Sequence, residues 1–231
     1  MTIGVLALQG DFDLHRKALA RIGHESVEVR LPRELEQVDG LIMPGGESTT
    51  LLKLLDEWDF VPALEKFHAA GKPIFGTCAG LILLAREVES PTQPSLGLID
   101  ITAERNAYGR QKESFETEGV ADLGQGPQPI KMVFIRAPRI RRMGPAVTPL
   151  VTHQGECVMA RQGTVLVAAF HPELTDDQTV HRYFAWMVRQ AAGQSGRTST
   201  SSLTPSATQG IVWSDHRTNP TAAPGGRPGP D

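Results

Sequence analysis

Lys72-Pro-Ile-Phe-Gly-Thr-Cys78-Ala-Gly-Leu-Ile-Leu-Leu-Ala-Arg86 sets one cysteine where a short apolar strand turns sharply into a helix. Residues 73–75 read as the end of a buried strand, Gly76 and Gly80 permit a tight turn and close backbone approach, and residues 79–87 are good helix formers. Cys78 is then expected to face the N–H groups and positive dipole end of a helix, a setting in which cysteines become reactive. A cysteine taken at random is usually an inert buried side chain. The Gly-x-Cys-x-Gly form weighs against that here, because it is the cysteine counterpart of the hydrolase elbow Gly-x-Ser-x-Gly.

Outward from this stretch, short apolar runs at 3–8, 27–31, 40–43 and 73–77 alternate with helical patterns. Leu14, Ala18 and Ile22 mark one helix, ended by Gly23, and 51–58 forms another. The order strand, helix, strand, strand, helix, helix, strand, helix predicts a parallel, doubly wound sheet. Beyond the loop Ser90-Pro-Thr-Gln-Pro-Ser95, strands are expected at 98–103, 114–120, 131–135, 157–161 and 165–170, partly antiparallel, before a last helix. The fold class is therefore α/β, a doubly wound, mixed, mainly parallel sheet flanked by helices. One domain is expected over 1–192. From 193 the composition turns to Gly, Ser, Thr, Pro and Ala, which cannot bury a core, so 193–231 is predicted to be a disordered tail.

Composition sets limits. With 231 residues, 40% of them hydrophobic, and a net charge of −3, the chain can build one substantial core and has no basic balance suited to a phosphate backbone. Two cysteines, Cys78 and Cys157, without Cys-x-x-Cys or clustered histidines, argue against structural zinc or a disulfide scaffold and suit a reducing cytoplasm. Cys157 reads as a buried strand thiol. Residues 1–9 are apolar but too short for a membrane span and lack a basic leader, so they are expected to form the first strand.

A nucleophilic cysteine needs a base. Of seven histidines, His171 in Val165-Leu-Val-Ala-Ala-Phe-His171-Pro-Glu173 follows directly on a buried strand, where α/β folds keep their chemistry. Glu173, two residues on, would share a side with His171 in an extended stretch and accept its Nδ1–H, leaving Nε2 for the thiol proton. Pro172 favours that extension. Thr175-Asp-Asp-Gln178 reads as a capping box for a helix carrying Val180, Phe184, Met187 and Val188 on one face.

The third part is Leu41-Ile-Met-Pro-Gly45-Gly46-Glu47-Ser48-Thr49-Thr50, a strand ending in Pro-Gly-Gly before a helix. The N–H groups of Gly46 and Ala79 would form an oxyanion hole. A plain turn with Ser48 or Thr49 as N-cap is the competing reading. No phosphate-binding glycine loop is present in this stretch.

Together these blocks resemble the class I (triad) glutamine amidotransferases, and within them the glutaminase subunits of pyridoxal 5′-phosphate synthases. The resemblance rests on Gly4-Val-Leu-Ala-Leu-Gln-Gly-Asp11, Pro44-Gly-Gly-Glu-Ser-Thr49, Gly76-Thr-Cys-Ala-Gly80, Arg105-Asn-Ala-Tyr-Gly-Arg-Gln111 with Ser114-Phe115, Val133-Phe-Ile-Arg-Ala-Pro138 and Phe170-His-Pro-Glu-Leu174. It covers about 2–191. It implies a flavodoxin-like three-layer fold and hydrolysis of L-glutamine to L-glutamate and ammonia through a thioester, with Cys78 as nucleophile, His171 as base and then acid, and Glu173 orienting His171. Gly46, Glu47, Ser48, Arg105, Ile135 and Arg136 would contact the glutamine, Glu47 taking its ammonium and an arginine its carboxylate. No cofactor or metal is expected. The implied partner is a (β/α)8-barrel synthase subunit in a 12+12 assembly, to which ammonia passes by a channel and whose docking raises a weak basal activity. Residues 8–11 are expected to form part of the docking face. The reaction classes suggested are hydrolase and lyase. A glutaminase serving an imidazole or purine acceptor, and a non-enzymatic module or other cysteine hydrolase of similar fold, are the competing functions.

Overall fold

The structure, a computed structural model, describes residues 1–105, 107, 114–124 and 126–195. Its strands are β1 (Ile3–Leu6), β2 (Ser26–Val29), β3 (Gly40–Met43), β4 (Ile74–Thr77), β5 (Ala85–Glu89), β6 (Ile99–Glu104), β7 (Ser114–Asp122), β8 (Pro127–Ile135), β9 (Arg139–Met143), β10 (Thr148–His153), β11 (Glu156–Gln162) and β12 (Val165–Ala168). Its helices are α1 (Phe12–Arg21), α2 (Ser48–Glu57), α3 (Phe60–Ala69), α4 (Ala79–Leu84) and α5 (Thr179–Ser195), with 3-10 turns at Pro32–Gln37 and Pro172–Leu174.

Nine strands form one sheet in the order β2-β1-β3-β4-β12-β11-β10-β7-β8. The first five pair in parallel and the last four antiparallel, so the doubly wound, mixed sheet expected from the alternation is present. Strands β1, β3, β4 and β12 are buried at every position, as strands covered on both faces must be. Their carboxyl ends lie side by side, which gathers the loops after residues 6, 43, 77 and 168 into one region. A second sheet, β5-β6-β9, packs beside it.

Several local expectations need correction. The helix after Cys78 stops at Leu84 rather than reaching 87, because the N–H groups of Leu96, Leu98 and Gly97 bond the carbonyls of Leu83, Leu84 and Ala85 and pull the chain into β5. Tertiary pairing there overrides helix propensity. On α1 the buried residues are His15, Ala18 and Leu19, with Leu14 and Ile22 only flanking, so a histidine sits at the centre of the apolar stripe. The capping box at 175–178 does not form: Asp177 Oδ1 accepts the Thr179 N–H at 2.8 Å instead. Val180, Phe184, Met187 and Val188 are all buried as predicted. Strands β9 and β10 were not foreseen, the former because Arg-Ile-Arg-Arg-Met carries no apolar alternation. Cys157 is half-buried rather than buried; its thiol donates to the Met159 carbonyl, and burial pushes it up to about 11.

α5 continues to Ser195, past the expected boundary at 192. The rest of the predicted tail, and Asn106 with 108–111 in the Arg105 block, lie outside the described residues.

Two glycines hold the elbow. A methyl group on Gly80 would run into the Met43 carbonyl of β3, and one on Gly76 would meet the Gly80 carbonyl at 2.6 Å. Gly80→Ala should therefore destabilise the protein by about 1–3 kcal/mol, although alanine is the better helix former by about 1 kcal/mol. Urea unfolding of the variant checks this, and a neutral or stabilised variant would show that α4 is free to move off β3.

Candidate active site

Cys78 is the N-cap of α4, with φ 48° and ψ −103°, a conformation that side chains other than glycine rarely hold. It is held by the β4–α4 turn and by its own N–H, which donates to Ala168 O of β12 at 2.9 Å. Such strain persists where the surroundings over-determine it, and it clusters at functional sites. Cys78 is 8% exposed, and its thiol lies 4.0 Å from the Ile135 carbonyl at the end of β8. Arg136, the next residue, also has positive φ (41°). The ring stack of Phe115 on Phe134 (4.7 Å) and the contact of Phe134 with Phe170 (5.8 Å) fix this end of β8 beside the end of β12.

His171 follows β12, and its N–H donates to Val133 O at 2.8 Å. Glu173 is not on an extended stretch, since residues 172–174 form a 3-10 turn. The turn nonetheless brings Glu173 Oε1 to 2.7 Å from His171 Nδ1. An ionised carboxylate only accepts, so Nδ1 carries the proton and Nε2 is directed elsewhere. Both side chains are buried. Burial disfavours the charge on His171, but its hydrogen bonds with Cys78 and Glu173 and their charges prevail and raise it to about 10. Burial likewise opposes the charge on Glu173, and neighbouring His15 with the bond from His171 outweighs it, holding the carboxyl below its ordinary range.

The β3–α2 loop closes the site. A methyl group on Gly45 would strike His171 Cε1 and approach Cys78 Cβ at 3.4 Å, so only a glycine lets this loop lie against both residues. Gly46 has φ 155°. Neither Ser48 nor Thr49 is the N-cap of α2. That residue is Glu47, whose carboxylate accepts from Thr49 N at 3.0 Å and from Thr50 N at 2.7 Å. Slight burial works against its charge, yet the bonds from Thr50 and Thr49 hold the carboxyl down at about 2. Arg105, from the end of β6, reaches Thr49 Oγ1 at 3.2 Å and Glu47 Oε1 at 3.6 Å. The Ser48 hydroxyl donates to Gln93 at 3.1 Å.

The sequence-predicted residues thus fall into two sets. Cys78, with Ala79 after it, His171, Glu173 and Ile135 meet at the strand ends beside Gly45, whereas Gly46 lies against Gln9 and Glu47 on the β3–α2 loop pairs with Arg105 from the end of β6. The exposed Arg136 follows Ile135. Gln9, expected only as part of a docking face, also reaches the site, its Oε1 accepting from Glu47 N at 3.0 Å; sequence reasoning missed the buried histidines His15 and His181 behind Glu173. Spacing alone could not have tied a histidine of α1 or α5 to the elbow.

Asp11, His171 and Glu173 offer donor atoms within 4.8 Å of one another, a set that could hold a metal ion. A cation there would compete with the 2.7 Å bond between His171 and Glu173. No helix of the described residues is long and apolar enough to cross a membrane.

Comparison with known proteins agrees with this arrangement. Residues 5–191 match the model of the SNO glutamine amidotransferase family. The chain is 52% identical, over 82% of its length and 100% of the relative's, to "Pyridoxal 5'-phosphate synthase subunit PdxT" of Desulforamulus reducens, and 55% identical, over 80% and 93%, to the protein of that name in Pelotomaculum thermopropionicum. A solved structure described as a glutamine amidotransferase shares 48% identity and a TM-score of 0.76, covering 81% of this chain and 98% of its own. A putative GMP synthase protein of Thermoplasma acidophilum, at 17% identity and a TM-score of 0.61 over 85% of this chain and 98% of its own, shares the fold. These matches correct one expectation: lyase chemistry has no support, since the family and its relatives are amidotransferases whose glutaminase reaction is a hydrolysis. The strained cysteine elbow, the buried His-Glu pair and a family match over 5–191 lead to one assignment: the chain belongs to the SNO glutamine amidotransferase family.

Proposed function

We propose that this chain is the glutaminase subunit of a pyridoxal 5′-phosphate synthase, with Cys78, His171 and Glu173 as its catalytic triad. The observation that carries the reading is the strained Cys78 beside a His171 fixed by Glu173 at 2.7 Å, at the ends of adjacent strands. Cys78 Sγ attacks the side-chain amide carbon of glutamine, and the carbonyl oxygen becomes an oxyanion facing the N–H groups of Gly46 and Ala79. Ala79 is the first residue of α4, so its N–H has no acceptor within the helix. His171 gives its proton to the departing nitrogen, the C–N bond breaks, and ammonia leaves a glutamyl thioester. Water, deprotonated by His171, then releases glutamate.

Glu47, Ser48 and Arg105 on one side, and Ile135 and Arg136 on the other, hold the amino acid. Glu47 and Arg105 already pair, so substrate would exchange that contact for its own ammonium and carboxylate. The domain over 1–192 acts in the cytoplasm and passes ammonia to a (β/α)8 synthase subunit within a 12+12 complex. The contact that supports docking at residues 8–11 is direct: Gln9 bonds Glu47 N, and Gly10 lies so close to the Gly45 carbonyl that it admits no side chain. Pressure there reaches the oxyanion loop in one step.

The test is glutamate release by the protein alone and with an equimolar synthase subunit. The proposal expects release to rise on adding the synthase. Release that the synthase leaves unchanged would contradict the assignment of partner.

A further inference from the structure

Behind the His171–Glu173 pair lies a line of polar groups that the triad does not use. Glu173 Oε2 is buried and makes no aligned hydrogen bond, and His15 Nε2 of α1 is 3.3 Å from it. His15 Nε2 is also 3.1 Å from Thr77 Oγ1, the residue before the nucleophile. On its other side, His15 Nδ1 is 3.0 Å from His181 Nε2 of α5. His15, His181 and Thr77 are wholly buried, and Phe75 packs edge-on against both imidazoles.

The proton positions follow from this geometry. A bare Nε2 lone pair on His15 would face a carboxylate oxygen at 3.3 Å and repel it, so Nε2 carries hydrogen, bonded to Thr77 Oγ1 with its positive end beside Glu173 Oε2. Nδ1 of His15 then accepts, and His181 must donate its Nε2–H. His181 Nδ1 is buried without a partner, which a lone pair tolerates better than an N–H would. Both imidazoles are thereby neutral, in accord with burial, which pushes His15 down and His181 down to about 3, so His15 favours the Glu173 carboxylate through its N–H dipole and not through a full charge. The donors run one way, from His181 to His15 and from His15 to Thr77 Oγ1, with Glu173 Oε2 held 3.3 Å from the same N–H by charge–dipole attraction.

We propose that His15 is a positioning residue of the active site, clamping the second oxygen of Glu173 in a tautomer that His181 fixes, so that α1 and α5 set the orientation of the catalytic base. The proposal rests on the triad reading above. Without this clamp Glu173 can rotate about its last bond, and His171 loses both its alignment and part of the charge that favours its protonated form. The titratable groups facing the line are Asp11 ahead of α1, His171 and Glu173 on the turn, and Arg21 and Asp177 around His181.

The experiment measures glutaminase kinetics against pH in the full complex with the synthase subunit for His15→Leu, His15→Gln, His181→Leu and Cys78→Ala, with thermal melting of each. His15→Leu should lower kcat by about 10- to 100-fold with KM for glutamine within about threefold, and should move the alkaline limb of kcat/KM to lower pH by about half a unit or more. His15→Gln, which restores an N–H toward Glu173, should recover most of kcat and return the limb. His181→Leu, acting one bond further away, should shift both in the same direction but less, and it carries the test if His15→Leu does not fold. A folded His15→Leu with kcat within twofold of the parent and an unmoved limb, or a His15→Gln as impaired as His15→Leu, would overturn the proposal. An active Cys78→Ala would instead overturn the triad itself.

Discussion

Replacing Cys78 with alanine is expected to abolish glutamate release in the complex, lowering kcat by roughly 10⁴- to 10⁶-fold, while the protein stays folded. The size follows from covalent catalysis: without Sγ no thioester forms, and the remaining donors stabilise an oxyanion that nothing creates. The elbow adds a second expectation. Cys78 holds φ 48° and ψ −103°, where alanine is as strained as cysteine but glycine is not. Cys78→Gly should therefore be more stable than Cys78→Ala by about 1–2 kcal/mol, although equally inactive. Urea midpoints read this difference. A glycine variant no more stable than the alanine variant would mean that the turn relaxes in solution and that the nucleophile is not held under strain.

The second large effect is expected at Glu173. Glu173→Gln keeps the size of the side chain but offers His171 Nδ1 either an N–H or a weaker acceptor, so the imidazole can flip tautomer and lose its orientation toward the thiol. A loss in kcat on the order of 10³- to 10⁴-fold follows, by analogy with other triads that lose their acid. Stability carries a sign of its own. The folded Glu173 carboxyl lies below its ordinary value of 4.5, so it contributes stability that is present above that value and lost as pH falls through the folded one. His171, raised to about 10, contributes stability that is present below 6.5 and lost as pH rises through about 10. Glu173→Gln should thus flatten the acid side of the stability profile and diminish the alkaline loss as well. Urea unfolding from about pH 3 to about pH 10 tests both. An unchanged acid slope would show that Glu173 is not ionised in the folded protein.

Much of this was legible in the sequence because the relevant signals are local. Gly76-Thr-Cys78-Ala-Gly80 encodes the turn through two glycines whose missing Cβ atoms let β4, α4 and β3 touch. The pairing of His171 with Glu173 was readable because two residues suffice to bring the side chains together, although a 3-10 turn and not the expected extended stretch does so; that only a glycine at 45 fits beside His171 was not. What was hidden depends on contacts distant in sequence. The end of α4 is set by N–H groups at 96–98, so its own good helix formers mislead. Glu47 spends its carboxylate on the cap of α2, a role that its charge does not announce. His15 and His181 are 166 positions apart and meet only because α1 and α5 pack across the same sheet end.

The most direct measurement is mass spectrometry of the complex quenched in acid during turnover of glutamine, followed by digestion to locate any glutamyl adduct. A glutamyl thioester is expected on Cys78 and none on Cys157, whose thiol burial keeps protonated. An adduct on Cys157, or steady glutamate release with Cys78 never modified, would contradict Cys78 as the nucleophile.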